Sequence, residues 1–225
     1  MIEVKNVYFS YNGVSDVLKD ISLRIDKGII GIVGPNGSGK TTFLKVASLL
    51  YKPRKGRVLV DGIDFWNLDV SKRISIKRKI VYVHEKPILI RGSVVDNLIF
   101  GLLLRGVDRD EALKRAVDCL KQMEVEYLLE KSAKNLSAGE SQLVSLARAF
   151  VLDPQFLFLD EPLANLDFKK RKNVLCFLRR LADNRTVIVI ATHDQLIAST
   201  YAEKVVHIEE GRVVRVGKPD DVLTF

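Results

Sequence analysis

The chain has 225 residues, of which 47% are hydrophobic and 28% charged, a composition that supports a large hydrophobic core and excludes broad disorder. Its net charge of +8 favours anionic partners only weakly, since most basic residues are scattered along the sequence. Two basic clusters, at 72–79 and 168–172, are most simply solvated surface, with a patch for nucleic acid or lipid headgroups as the second interpretation. No apolar run approaches the roughly 20 residues that span a bilayer, so a membrane role would require another chain to cross the membrane.

The two cysteines, Cys119 and Cys176, both lie in apolar helical patterns. This placement favours buried free thiols over a disulfide or a metal site. It is typical of a protein in a reducing cytosol.

The elements of the first 84 residues are predicted to be mainly strands. "IEVKNVYFSY" and "LKDISLRID" predict two strands on either side of a turn, and "GIIGIVG" predicts a buried parallel strand. A glycine-rich loop and the helix "TTFLKVASLLY" follow. "GRVLVDGIDF" and "KIVYV" then predict further strands.

The middle of the chain changes to helical periodicity. The segment from Val94 to Phe150 is mostly helical in pattern, and Asp108 and Glu111 have the spacing of a capping box at the start of one helix. Strands return at "QFLFLD" and "TVIVIATHD", separated by a helix over about 169–182, and "KVVHIEEGRVVRVG" predicts a hairpin. We therefore predict an α/β domain with a mostly parallel sheet, an antiparallel N-terminal part and an inserted helical subdomain.

A phosphate-binding loop is predicted at "GPNGSGKTT", because this stretch fits G-x-x-x-x-G-K-[ST] between a predicted strand and a predicted helix. Glycines allow backbone N–H groups to surround a phosphate chain, and the helix N-terminus adds partial positive charge. Lys40 is expected to reach the β- and γ-phosphates, and the Thr41 hydroxyl to ligate Mg²⁺. The predicted nucleotide-binding residues of this loop are Gly34, Pro35, Asn36, Gly37, Ser38, Gly39, Lys40, Thr41 and Thr42.

Two acidic residues end the buried strand "FLFLDE". Asp160 is expected to hold Mg²⁺, and Glu161 to orient or deprotonate the attacking water. His193 follows the next predicted strand at the edge where ligands bind in parallel sheets, so we expect it to contact the γ-phosphate rather than to be structural.

The stretch "NLSAGESQLVSLARAF" predicts a helix that begins with a capping box formed by Ser137 and Glu140. Gly139 falls in the first turn of this helix, where glycine costs about 1 kcal/mol relative to alanine. A glycine at this position indicates a close approach to the backbone.

Together these motifs resemble the nucleotide-binding subunit of ATP-binding-cassette (ABC) transporters over nearly the whole chain. "LSAGE" is similar to the signature of that family, usually written LSGGQ, and "ANLD" resembles its D-loop. The resemblance implies that His193 is the switch histidine and that Tyr11 stacks on adenine, with an ordinary strand aromatic as the alternative interpretation of Tyr11. It also implies one cassette domain over 1–225, with a core at about 1–84 and 153–225, and the Q-loop and helical subdomain at about 85–152.

By this resemblance, two cassettes close head to tail around ATP and Mg²⁺. Lys40, Glu161 and His193 would be catalytic, while Ser137, Gly139 and Asp167 would meet the nucleotide held by the other copy. The implied partners are a second ATPase subunit in a homodimer, a transmembrane permease and an external solute-binding protein, with no nucleic acid. The implied location is cytoplasmic, peripheral on the inner face of the cell membrane.

The sequence departs from the family at two motifs. Ala138 and Glu140 replace the usual glycine and glutamine of the signature, and Glu85 stands where the Q-loop glutamine usually reaches Mg²⁺. We expect the carboxylate of Glu85 to ligate Mg²⁺ in its place, with Lys86 offsetting its charge. Apolar residues near Ile88 would fit a partner site for the coupling helix of the permease.

The leading hypothesis is an ATPase that drives uptake of a small solute, such as an oxyanion, because "SVVDNLIFGLLLRGV" resembles the same stretch of importer subunits. The alternative is a nontransport ATPase of the superfamily that acts on DNA, ribosomes or a membrane complex. Such proteins usually have a long coiled coil or two cassettes, and this chain has neither. A small-molecule kinase is disfavoured by the signature and the switch histidine, and a purely regulatory nucleotide-binding module by Glu161.

Overall fold

A computed structural model describes residues 1–223, which form two β-sheets and a set of helices. The strands are β1 (Ile2–Phe9), β2 (Leu18–Ile25), β3 (Ile29–Val33), β4 (Lys55–Val60), β5 (Ile63–Asp64), β6 (Ile80–Val83), β7 (Phe156–Asp160), β8 (Val187–Ala191), β9 (Lys204–Glu209) and β10 (Arg212–Gly217). An antiparallel sheet has the strand order β2-β1-β4-β5, and a six-stranded sheet has the order β10-β9-β3-β8-β7-β6. In the second sheet β3 is parallel to β8 and β9, β7 is parallel to β8, and only the β10–β9 pairing described is antiparallel.

Eight α-helices complete the described part of the chain, joined by short 3₁₀ turns. None of the helices within residues 1–223 is both long and apolar enough to cross a bilayer. The helices are α1 (Lys40–Ala47), α2 (Val70–Lys77), α3 (Val94–Leu103), α4 (Arg109–Gln122), α5 (Ala138–Phe150), α6 (Phe168–Asp183), α7 (Gln195–Tyr201) and α8 (Pro219–Val222).

The first of two compact units contains both sheets and the helices next to them. It comprises Met1–Tyr82, Gln155–Glu161 and residues 182–223. Every residue of β3, β7 and β8 is buried, as expected for central strands covered on both faces. Phe43, Phe65 and Phe158 are among its largest fully buried side chains.

The second unit is helical and comprises Val83–Pro154 and Pro162–Leu181. Helices α3, α4 and α5 pack against one another, and the rings of Phe150 and Phe177 stack with centroids 4.8 Å apart. The segment 162–181, which the sequence-based boundaries assign to the core, groups with this helical unit because α6 supplies part of its apolar packing.

Two sequence-based expectations about helices in this unit are wrong. Cys119 is buried, but Cys176 is exposed because it lies between the pairs of buried residues that form the apolar face of α6. Asp108 caps α4 through the backbone N–H of Asp110, but Glu111 accepts a hydrogen bond from Arg115 instead of reaching back to complete a capping box.

Candidate nucleotide-binding site

The phosphate loop connects β3 to α1 at the carboxyl edge of the six-stranded sheet. Gly34 has a φ of 149°, and a β-carbon at this position would overlap the carbonyl oxygen of Ile208, so no other residue fits without movement of the backbone. The Oγ of Ser38 is buried and has no hydrogen-bond partner within the described residues. An unpaired buried hydroxyl in a glycine-rich loop is suited to an anionic ligand such as a phosphate.

Lys40 points back into its own loop. Its Nζ donates hydrogen bonds to the carbonyl oxygens of Gly34 at 2.8 Å and Pro35 at 2.9 Å. Burial lowers the pKa of Lys40 from its ordinary value, and the negative charges of Glu161 and Asp160 oppose this effect. The lysine is therefore held among acceptors that a phosphate group would replace.

Asp160 is the centre of a hydrogen-bonded group at the end of β7. The Thr41 hydroxyl donates to its Oδ1 at 2.9 Å, and the Tyr82 hydroxyl donates to its Oδ2 at 2.8 Å. Asp160 is almost fully buried. Burial of the Tyr82 hydroxyl, together with the Asp160 carboxylate, raises the pKa of Tyr82. Thr41 and Asp160, two of the three residues that the sequence assigns to the metal, are thus adjacent.

Glu161 follows Asp160 with a φ of 45°, a left-handed conformation that is uncommon for a non-glycine residue. Its Oε1 accepts a hydrogen bond from the backbone N–H of His193 at 2.9 Å and lies 2.9 Å from the Nδ1 of the imidazole. Its Oε2 accepts a hydrogen bond from the Thr192 hydroxyl at 3.3 Å. The structure therefore brings together the two side chains predicted to act on the attacking water and the γ-phosphate.

Tyr11 lies beside the phosphate loop and is 58% exposed. Its hydroxyl is 3.1 Å from the Oγ1 of Thr42, and its ring packs edge-on against Phe9 and Tyr51. The ring is thus held in place by neighbours and open to solvent, which suits stacking on a base.

The helix α5 begins with the predicted capping box. The backbone N–H of Ser137 donates to Oε2 of Glu140 at 2.9 Å, and the N–H of Glu140 donates to the Ser137 Oγ at 3.2 Å. Gly139 is close to a backbone atom of its own chain, since a β-carbon there would lie 2.8 Å from the carbonyl oxygen of Asn165. Packing within the chain is therefore sufficient to explain why a glycine stands at this position.

Asp167 and Glu85 are both exposed residues of the helical unit. Asp167 accepts a hydrogen bond from the N–H of Lys170 at the start of α6 and pairs with its ammonium group at 3.0 Å. The hydrogen bonds to Lys170 lower the pKa of Asp167. Glu85 lies on the irregular segment between β6 and α3.

Two further residues support the site and a third supports the helical unit, and the sequence does not single out any of the three. Tyr82 orients Asp160, Thr192 contacts Glu161, and the buried Gln142 donates to the carbonyl oxygen of Pro162 at 3.1 Å. Tyr82 and Thr192 belong to or adjoin strands next to β7, so the sheet order would have identified them, but that order is not readable from local periodicity.

The edge of the sheet thus carries a glycine loop with a buried lysine, a hydroxyl bound to a buried aspartate and a second carboxylate bound to a histidine. This arrangement fits a nucleoside triphosphate, and the oxygen donors of Thr41 and Asp160 fit a hard cation such as Mg²⁺. The fold and the site define a P-loop nucleoside triphosphatase.

Comparison with known proteins identifies the family within this class. The ABC transporter family matches residues 18–164. A putative ABC transporter ATP-binding protein of Pyrococcus abyssi is 33% identical over 98% of this chain and 85% of its own length. A sulfate/thiosulfate import ATP-binding protein of Yersinia pestis is 37% identical over 98% of this chain and 61% of its own length. A spermidine/putrescine import ATP-binding protein of Clostridium novyi is 35% identical over 99% of this chain and 63% of its own length.

Solved structures agree with these relatives. The dimeric structure of a bacterial ABC transporter cassette superimposes over the full length of both chains with a TM-score of 0.90 and 31% identity. A dimeric post-hydrolysis state of an ATP-binding cassette with ADP and Pi gives a TM-score of 0.89, also at 31% identity. This chain belongs to the ABC transporter ATP-binding family, and its activity is ATP hydrolysis.

Proposed function

We propose that this chain is the ATP-hydrolysing subunit of an importer that takes up a small solute. One observation carries the ATPase part of the proposal. The hydrogen-bonded pair Thr41–Asp160 and the hydrogen-bonded pair Glu161–His193 lie at the same edge of the six-stranded sheet. The names of two relatives, both import proteins, support the direction of transport. The broader role, an ATP-binding subunit of a transporter, follows from family membership.

The phosphate loop, Gly34 to Thr42, binds the triphosphate through its backbone N–H groups, and Tyr11 stacks on the base. Thr41 and Asp160 hold Mg²⁺, which offsets the negative charge of the phosphate oxygens when it is bound. The proposal that Glu85 supplies a further oxygen ligand stands on the sequence alone.

Glu161 takes the proton of the attacking water, and His193 contacts the γ-phosphate. The three contacts to the Glu161 carboxylate hold it in one orientation before the water arrives. Lys40 exchanges the carbonyl oxygens of Gly34 and Pro35 for phosphate oxygens and stabilises the charge on the leaving group.

A second copy of the chain completes each site in this proposal. The N-terminus of α5, with Ser137 and Gly139, approaches the γ-phosphate of the nucleotide held by the other copy, and Asp167 lies at the same interface. Two such cassettes related by a twofold axis form two equivalent sites. ATP then favours the closed dimer because both copies bind it, and hydrolysis removes that link.

A permease segment docks on the helical unit in this proposal. A cavity of about 340 Å³ is lined by Leu89, Ile90, Arg91, Gly92, Ser132, Ala133 and Lys134. Ile88, beside this cavity, is 62% exposed. A cavity whose lining combines apolar residues with two basic ones, Arg91 and Lys134, suits an amphipathic segment that carries an acidic residue. This docking would hold the chain on the cytoplasmic face of the membrane, peripherally, with an external solute-binding protein in the same system.

A small oxyanion is the narrower proposal for the solute, supported by the sulfate/thiosulfate relative. This proposal is tested in cells of the source organism that express either the wild type or Glu161→Gln. The measurement is the uptake of labelled sulfate, phosphate, molybdate and spermidine. We expect uptake of one oxyanion to fall. Loss of spermidine uptake alone would refute the oxyanion, and raised accumulation of a solute would refute import.

The ATPase rate of purified variants tests the site. Glu161→Gln should lower kcat by about 10²–10⁴-fold because it removes the general base, while ATP still protects the chain against heat. Ser137→Arg should abolish activity, because the larger side chain would block the approach of α5 to the nucleotide of the other copy. This loss would not come from the phosphate loop, since Ser137 lies outside it. Glu210→Gln, in the exposed β9–β10 turn, is the matched control and should leave the rate unchanged. Full activity of Ser137→Arg would contradict the role of α5.

A further inference from the structure

Glu140 places a negative charge at the N-terminus of α5. Its side chain is 13% exposed. One carboxylate oxygen, Oε2, accepts the N–H of Ser137, which fixes the backbone that carries the Ser137 hydroxyl. The Ser137 Oγ accepts the N–H of Glu140, and its own proton remains available to a ligand.

Lys131 neutralises this charge from the other side. Its Nζ lies 2.7 Å from Oε1, the carboxylate oxygen that Ser137 does not use. The same ammonium group lies 5.3 Å from the centroid of the Tyr127 ring, which limits the freedom of the long side chain. The lysine is thus held between an aromatic ring and the carboxylate.

The hydrogen bonds from Lys131 and Ser137 lower the pKa of Glu140 to about 2, so the carboxylate is ionised at neutral pH. An uncompensated carboxylate at this helix N-terminus would repel the phosphates of an incoming nucleotide. A neutral side chain in the same capping position would need no partner.

We propose that Lys131 is a positioning residue of the ATPase, which compensates Glu140 so that the Ser137 end of α5 can accept a phosphate group. Glu140 fixes Ser137, and Lys131 removes the electrostatic cost of using a carboxylate to do so. This inference rests on the proposed function, in which α5 meets the nucleotide of a second copy.

The KM and kcat of three variants test whether Lys131 compensates the charge of Glu140. Lys131→Met keeps the length of the side chain and removes its charge, and should raise the KM for ATP about fivefold while kcat changes less than about twofold. Adding Glu140→Gln to Lys131→Met should restore the wild-type KM, since no charge is then left to compensate. Glu140→Gln alone leaves the charge of Lys131 unopposed beside the phosphates and should lower the KM for ATP. Lys114→Met, an exposed lysine of α4, is the control for loss of one surface charge.

Salt dependence separates charge compensation from simple stabilisation of the helix. The KM defect of Lys131→Met should shrink between low and high salt, because screening weakens the repulsion. A role limited to stability would lower the melting temperature, without rescue of KM by Glu140→Gln. A KM for Lys131→Met equal to that of Lys114→Met, or a defect that Glu140→Gln does not reverse, would overturn the inference. If Ser137→Arg retains full activity, the proposed role of α5, on which this inference rests, fails first.

Discussion

Gly139 stands in the first turn of α5 because the carbonyl oxygen of Asn165 leaves no room for a methyl group. Gln142, one turn further along, donates to the carbonyl oxygen of Pro162. These two contacts join the start of α5 to the segment that leads to Asp167. Gly139 is therefore required for packing within the helical unit. Its proposed approach to a nucleotide is a second role.

Gly139→Ala should destabilise the protein by about 1 kcal/mol, because the clash outweighs the gain in helix propensity. Gly101→Ala is the matched control: it also lies in a helix, but its β-carbon would meet the flexible end of Leu152 at 2.9 Å. The midpoints of guanidinium unfolding measure both. Equal stability of the two variants would show that Asn165 can move away at little cost.

Tyr82→Phe should raise the Mg²⁺ concentration for half-maximal ATPase activity by about tenfold, because Asp160 loses the hydroxyl that orients it. Tyr8→Phe, in β1, removes a hydroxyl from the same unit and serves as the control. A Mg²⁺ titration of the ATPase rate compares them. An unchanged titration in Tyr82→Phe would mean that Thr41 alone is sufficient to place Asp160.

At the scale of the elements, helix starts show what the sequence can and cannot predict. The capping box of Ser137 and Glu140 is confirmed because its spacing is local and no other partner displaces Ser137. The same spacing at Asp108 fails because Arg115 binds Glu111 one turn later. A third box, Ser93 with Asp96 at the start of α3, was not predicted, since aspartate replaces the usual glutamate or glutamine.

The capping box of α5 should make stability depend on pH. The pKa of Glu140 is about 2, below the ordinary value of 4.5. Ionised Glu140 therefore stabilises the fold above pH 4.5, and this contribution is lost as the pH falls toward 2. Glu140→Gln should therefore lose less stability over this range than the wild type. Thermal unfolding between pH 7 and pH 2.5 measures the difference, with Glu111→Gln as the control for loss of a more exposed carboxylate. Parallel pH curves for the wild type and Glu140→Gln would contradict the assignment.

At the scale of the whole molecule, the α/β class, the antiparallel N-terminal sheet and the mostly parallel second sheet were predictable from the sequence. Short apolar runs such as β3 and β8 identify buried strands, and glycines and a lysine between β3 and α1 identify the loop. The contact of Tyr82 with Asp160 was not predictable, because it joins residues 78 positions apart. The exposure of Cys176 does not follow from the apolar character of its helix, because only one face of α6 packs and Cys176 lies off that face.

In the proposed mechanism, ATP joins two copies of this chain through the N-terminus of α5. The most direct test is the mass of Glu161→Gln in solution, measured by light scattering with and without ATP in the absence of Mg²⁺. We expect a monomer that becomes a dimer when ATP is added, and a second substitution, Ser137→Arg, that keeps it monomeric. A mass that stays monomeric while ATP is bound, or a dimer that Ser137→Arg leaves intact, would contradict the claim.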